Sequence, residues 1–263
     1  MKTARIIIAM LACAAATSAL AWSQKGHDTV AYIAENHFTP ATADSVASLL
    51  DGMSPVYWAN WLDNASHTPE YEYTKTWHYK NIDEGIPYED APLNEKGDVV
   101  RAVRNQIIIL SDASAPRADK VLALKILIHC VGDMHQPMHM GRLSDLGGNR
   151  TKVRFFNRDA NLHSIWDGSI MNSGHAWTYT EWQKQLDRLK PEQEAAEIKG
   201  NIDDWAKQTH EIAKRVYELT PAGSNLSYDE VALWTPVIEQ QVLRGGLRLA
   251  HILNTIFDPS YRQ

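Results

Sequence analysis

The chain has 263 residues, with 26 Lys+Arg against 32 Asp+Glu, a formal net charge of −6 and a pI near 6.0. That balance excludes a broad basic arm or patch for gripping a polyanion, but not a phosphate held locally by bound metal, whose charge no residue count includes. With 44% hydrophobic and 22% charged residues the chain reads as a globule and not as disordered, and two cysteines, Cys13 and Cys130, exclude a disulfide scaffold.

Residues 1–21 read as a secretory signal peptide. Lys2 and Arg5 form a positive start, Ile6 to Leu11 and the alanines after them an apolar stretch, and Ala19-Leu20-Ala21 a small-x-small cleavage signal. The segment is too short and wrongly flanked for a membrane span; a buried first helix and a lipoprotein cut before Cys13 are the alternatives. Cleavage after Ala21 removes Lys2 and Arg5, takes the net charge from −6 to −8, and starts the mature domain, 22–263, at Trp22. One thiol, Cys130, is left for an oxidising destination, secreted or periplasmic, so metal is the expected staple.

Most of the mature chain reads as helix. Residues 27–37 are periodic through Val30, Ile33 and Ala34. Thr39-Pro40 and Ser54-Pro55 each place a capping residue before a proline at the first helical position, opening helices over 40–51 and from 55 to about Ala65. Further helices are expected over 96–111, 116–134, 163–171, 179–188, 200–218 and 228–257, with Pro236 bending the last. Residues 151–156 are the strand candidate, half of a small hairpin. No repeat, low-complexity run or linker divides the chain, so a single mainly α domain is expected.

The chemistry concentrates in His129-Cys-Val-Gly-Asp133-Met-His135-Gln-Pro-Met-His139. His129 and Asp133, four apart on an apolar helix, share one face, and burying that carboxylate is costly unless it is paired or binds metal. His139 follows Pro137, where the chain can turn back. His163 and Asp167 form a second i,i+4 pair; Asp63 and His78 stand upstream; Trp22 and His27 lie at the new N-terminus. One such pair is commonly a core histidine bonded to a structural aspartate. Two pairs with separate His and Asp groups favour a polynuclear metal site.

On these motifs the chain resembles the zinc-dependent single-strand-specific nucleases of fungi and plants, of the S-one/P-one type, in a superfamily shared with bacterial zinc phospholipases C. The resemblance rests on Trp directly after the cleavage site, on H-x-x-x-D-x-H-Q-P-x-H, and on the later L-H-x-x-W-D. It implies a mainly α fold of the phospholipase C/nuclease type and three zinc ions in a cleft. One would take Asp63, His78, His129 and Asp133; a second His139, His163 and Asp167; the third the amino nitrogen and carbonyl oxygen of Trp22, His27 and the shared Asp133. Asp63 and Asp133 would carry the catalysis, Asp63 also orienting the attacking hydroxide.

The resemblance further implies hydrolysis of single-stranded DNA and RNA to 5'-phosphorylated products, with 3'-nucleotidase activity as an extension. Tyr79 would stack a base, with Asn81 (where fungal members tend to have Asp) and Asn149 of Gly147-Gly148-Asn149 at the base edge. Ser66 stands where relatives often carry a basic phosphate contact, leaving that role to another group such as His67. A monomer without a membrane partner is expected. A phospholipase C, which would have Glu at position 167, and a non-catalytic zinc-binding protein are the alternatives.

The remaining histidines, His37, His175, His210 and His251, read as surface or satisfied core residues, and His135 as hydrogen-bonding support for a ligand. Trp58, Trp61, Trp77 and Trp166 read as walls of the site, Cys130 as a buried inert thiol, and Gly245-Gly246 as a close helix contact.

Overall fold

The computed structural model describes residues 22–262; the expected signal segment lies outside them. The elements run α1 (Gln24–Asn36), α2 (Pro40–Leu49), α3 (Pro55–Trp58), α4 (Trp61–Ala65), α5 (Val99–Ser111), α6 (Arg117–Met134), β1 (Lys152–Phe155), β2 (Arg158–Asn161), α7 (Leu162–Ser164), α8 (Ile170–Gly174), α9 (Tyr179–Leu186), α10 (Pro191–Glu197), α11 (Ile202–Leu219), β3 (Asn225–Leu226) and α12 (Tyr228–Phe257). The expected mainly α architecture is observed.

The starts are set by capping chemistry. Thr39 accepts from Thr42 N–H at 3.3 Å and Ser54 from Val56 N–H at 3.2 Å, each followed by proline, whose missing N–H has no partner to lose there. Asp98 caps α5 through Arg101 N–H at 2.9 Å. The last helix occupies the expected residues and continues through Pro236 as one element.

Helix α6 is buried along most of its length, with Leu124, Leu127, Cys130, Val131 and Met134 fully enclosed. A helix apolar on all sides belongs at the centre of a bundle. It packs along α5 and touches α1, α3, α4 and α12. Helix α12 runs beside α1, where a Cβ on Gly246 would stand 2.5 Å from Ile33 Cβ; glycine lets the two backbones approach, as expected. Arg248, buried on α12, donates to Glu197 O and Gln208 Oε1 and meets His135 Nε2 at 3.0 Å, so each guanidinium nitrogen has a partner in the core.

The sheet is small, in the order β2-β1-β3: the expected hairpin, with Val153 opposite Ala160, plus a short parallel strand.

Four expectations need correction. The helix from 55 to 65 is two pieces, because Asn60 leaves helical geometry (φ −104°, ψ 4°) and turns its amide to Asp28 at 2.7 Å. Residues 163–171 are helical as expected but not uniformly α: a π turn over Ile165–Ser169 widens the stretch between α7 and α8. Helix α10 and strand β3 were not anticipated. His135 donates to Val131 O and meets Arg248, bracing α6 on α12 without touching the aspartates.

His37, just past α1, meets Asp187 Oδ1 at 2.8 Å after α9 and Glu194 at 3.8 Å on α10. The Asp187 hydrogen bond raises the His37 pKa above its ordinary 6.5, against partial burial. Burial would raise the Asp187 carboxyl, but bonds from His37 and Gln183 hold it below 3.8. A raised histidine stabilises the fold fully below its ordinary value and loses that effect as pH rises through the folded value; a lowered aspartate stabilises above its ordinary value and loses it as pH falls through its folded one. In thermal melts Asp187→Asn is therefore expected to cost a few tenths to about 1 kcal/mol near pH 5.5 and less near pH 8.5. Equal losses at both pH values would identify a neutral hydrogen bond instead.

Candidate metal centre and cleft

Seven histidines and aspartates, brought in from separate segments of the chain, gather around Asp133 at the end of α6. Asp133 Oδ2 lies 2.9 Å from His78 Nδ1 and 3.0 Å from His129 Nε2; Oδ1 lies 3.3 Å from His27 Nε2 and 3.3 Å from His139 Nδ1. Asp63 Oδ1 stands 3.4 Å from His129 Nε2 and 3.7 Å from His78 Nδ1. His163 and Asp167 meet at 3.4 Å across the π turn, with His139 Nε2 at 3.7 Å. These side chains form three donor groups, the first two sharing His129: His27, His129 and Asp133; Asp63, His78 and His129; and His139, His163 and Asp167.

Each ring is aimed by local structure. The interruption between α3 and α4 presents the Ala59 carbonyl to His129, whose Nδ1–H donates to it at 2.7 Å. His139 Nδ1–H donates to His78 O at 2.7 Å and His163 Nδ1–H to Gly147 O at 2.6 Å. A carbonyl only accepts, so in the neutral form each of these three rings has its proton on Nδ1 and its lone pair on Nε2; for His129 and His163 Nε2 faces the aspartates, and against burial Asp133 and Asp63 raise the His129 pKa well above its ordinary value. Backbone-anchored imidazoles of this kind are the usual orienting arrangement behind metal ligands. His27 stacks on His129 at 4.1 Å between centroids and crosses α6 at Gly132, where a Cβ would stand 2.7 Å from His27 Nδ1. Gln136, not anticipated as part of the site, donates to Asp167 Oδ1 at 2.6 Å.

The donor set fits a metal better than it fits itself. Asp133 Oδ1 and both His27 nitrogens are buried without a hydrogen-bond partner, as is His78 Nε2. Such groups cost several kcal/mol each unless something else satisfies them. The His27–Asp133, His129–Asp63 and His163–Asp167 separations, 3.3–3.4 Å, are long for hydrogen bonds but match two ligand atoms on one tetrahedral zinc, about 3.3 Å apart for bonds of about 2.0 Å.

The electrostatics agree. Burial holds His27 and His163 below the ordinary histidine range, in the neutral form that ligates. Burial pushes the Asp167 carboxyl up to about 8, and the like charges of Asp133 and Asp63 add to it. Burial opposes the charge on Asp133, yet His129 and His139 keep its carboxyl well below the usual range. Three carboxylates in so enclosed a space call for a multivalent cation.

Trp22, the expected first residue of the mature chain, is fully buried, and its neighbour Ser23 donates N–H to Asp167 O at 2.6 Å. The start of the domain is thus pinned to the cluster, with His27 one turn along α1.

The cluster opens into a cleft of about 260 Å³. Tyr79, Asn81 and Asn149, the expected substrate residues, all line it, together with Asp63, His78, His139 and His163. Ser66 also lines the cleft but is largely buried, its hydroxyl donating to Asp63 O, while His67 and Lys75 stand exposed on it. Lys75 was missed in the sequence; its only signal was its place three residues before His78. A separate cavity of about 620 Å³, lined by Ile82, Met140 and Tyr217 among others, holds none of the clustered donors. Cys130 is buried with its thiol pKa pushed well above the ordinary value, as an inert thiol should be.

A sequence profile described as "S1/P1 Nuclease" matches residues 22–258, beginning at Trp22. Endonuclease 4 of Arabidopsis thaliana is 30% identical over 91% of the chain and 90% of its own length. Nuclease S1 of Aspergillus oryzae (strain ATCC 42149 / RIB 40) is 34% identical over 61% of the chain and 60% of its own length. Nuclease P1 of Penicillium citrinum is 28% identical over 89% of the chain and 97% of its own length.

Proposed function

The chain belongs to the S1/P1 nuclease family, and from that premise we propose that it is an exported, monomeric, single-strand-specific endonuclease that hydrolyses DNA and RNA to 5'-phosphorylated products at a three-zinc site, with 3'-nucleotides as further substrates. The observation that carries the reading is the buried, partnerless Asp133 Oδ1 and His27 pair inside a ring of backbone-anchored imidazoles.

In the ligand assignment, Asp63, His78, His129 and Asp133 hold one ion, and His139, His163 and Asp167 a second. The freed amino group and carbonyl of Trp22, with His27 and Asp133, hold the third. Bound zinc supplies Lewis acidity, lowering the pKa of a coordinated water toward about 7 and offsetting charge on the phosphodiester.

The chain's own groups do the rest. Asp63, partly exposed on the cleft wall, orients the attacking water. His67 and Lys75 bind phosphoryl oxygens where Ser66 cannot. Tyr79 stacks on the base, and Asn81 and Asn149 bond its edge. Asn149 Nδ2 already donates to Leu146 O, which leaves its carbonyl to accept from the base. A base within a duplex has both faces covered by its neighbours, so a stacking cleft selects unpaired strands.

The test couples zinc counting by native mass spectrometry to cleavage assays on circular single-stranded DNA, plasmid duplex and phosphatidylcholine vesicles. The expected result is three zinc ions per chain and cleavage of single strands at least about 10²-fold faster than of duplex, with the vesicles intact. Lipid hydrolysis without nucleolysis would establish a phospholipase, and zinc without any hydrolysis a binding protein. Among the described residues no helix is long and apolar enough to cross a membrane.

A further inference from the structure

The segment that delivers Asp63 and His78 to the cluster also carries a run of aromatic rings that this chemistry leaves unused. From Tyr57 to Trp77 each ring meets the next edge-on or tilted: Tyr57–Trp58 at 5.0 Å between centroids, Trp58–Trp61 at 6.5 Å, Trp61–Tyr71 at 5.0 Å, Tyr71–Tyr73 at 6.5 Å and Tyr73–Trp77 at 5.3 Å. The run lies at the edge of the core: Tyr57 is 63% exposed and Tyr73 50% exposed, while Trp58, Trp61, Tyr71 and Trp77 are half-buried. Trp61 and Tyr71 wall an open hollow of about 500 Å³. The Lys125 ammonium sits 3.2 Å from the Trp58 ring centre and 5.6 Å from that of Trp61. A connected run of rings that reaches solvent in this way marks an interaction site.

Two observations say what covers it. The first is continuity: α4 gives Asp63 to the cleft and Trp61 to the hollow, and Lys75, between Tyr73 and Trp77, faces the cleft. The second is chemistry: flat rings with interleaved ammonium groups take unpaired bases and phosphates, since every base has a face to stack. The cleft itself, at about 260 Å³, has room for about one nucleotide. Affinity for a longer strand must therefore arise outside it.

We propose that the Tyr57–Trp77 aromatic run is a binding track for unpaired substrate nucleotides flanking the scissile bond, continuous with the cleft. The proposal rests on the nuclease reading of that cleft. The track selects strands by length and flexibility, not by base sequence.

The test measures fluorescence anisotropy of labelled, cleavage-resistant phosphorothioate oligothymidylates of about two and about twelve nucleotides. The zinc-loaded protein is compared with a Tyr71→Ala/Tyr73→Ala double variant and with Tyr71→Phe/Tyr73→Phe. The expected result is tighter binding of the longer strand by the unaltered protein, an approximately tenfold loss of that length advantage with alanine, and its retention with phenylalanine, which keeps the rings. An unchanged advantage in the alanine variant overturns the proposal. So does an equal loss for both lengths, which would place the damage in the cleft, or binding of a glycan in place of the long strand. A long strand that is bound through the track, while its unmodified phosphodiester counterpart is left uncut, supports the track and counts against the nuclease reading instead.

Discussion

Replacing Asp133 with alanine is expected to abolish nucleic-acid cleavage, by on the order of 10³-fold or more, and to remove more than one zinc ion per chain. Asp133 is fully buried and is the one carboxylate within 3.3 Å of His27, His78, His129 and His139 together. The proposed ligand sets share it between two ions, so its loss opens both. It would also leave four imidazoles facing one another with one carboxylate fewer. Asp133→Asn keeps the shape and one oxygen donor but halves neither the crowding nor the need for charge, so zinc loss smaller than in the alanine variant is expected. Native mass spectrometry and initial rates on single-stranded DNA read both effects. Full zinc content with activity within tenfold of the unaltered protein would end the shared-ligand assignment.

The second large effect is expected from a single residue retained before Trp22. An amide nitrogen inside a chain cannot act as an amine ligand, whereas a free α-amino group, with an ordinary pKa of about 7.7–8.0, gives up its proton readily to zinc. Trp22 is buried and Ser23 is tied to Asp167 O, so the chain start has no slack to move aside and admit a substitute. The extended protein is expected to bind two zinc ions instead of three and to lose activity by at least about 10²-fold. Its thermal stability reports whether the fold survives. Full zinc content and activity would show that the N-terminal amine is no ligand. If the expected result holds, removal of residues 1–21 is also the step that completes the site.

Local chemistry made much of the fold readable in advance. Thr39-Pro40 and Ser54-Pro55 marked helix starts because capping and proline act over three residues. Helix α12 was legible over 228–257, the residues it occupies. What escaped was decided over longer distances. Asn60 breaks the helix from 55 because its side chain finds Asp28 across the site. Helix α10, PEQEAAE, has no apolar stripe to announce it; it is held by contacts with α12.

The site divides the same way. By itself the sequence determined the donor chemistry: which histidines and aspartates exist, and that His129–Asp133 and His163–Asp167 share a face by helical spacing. Only the tertiary structure decided that the separate groups meet at Asp133, that Ala59, His78 and Gly147 carbonyls turn the rings inward, and that Gly132 makes room for His27. It also decided that Lys75 faces the cleft and that the rings near Trp61 form one surface. The physical reason is range. Helical spacing and capping are set within a few residues, whereas orientation, burial and the cost of an unpartnered polar atom depend on segments brought together from across the chain.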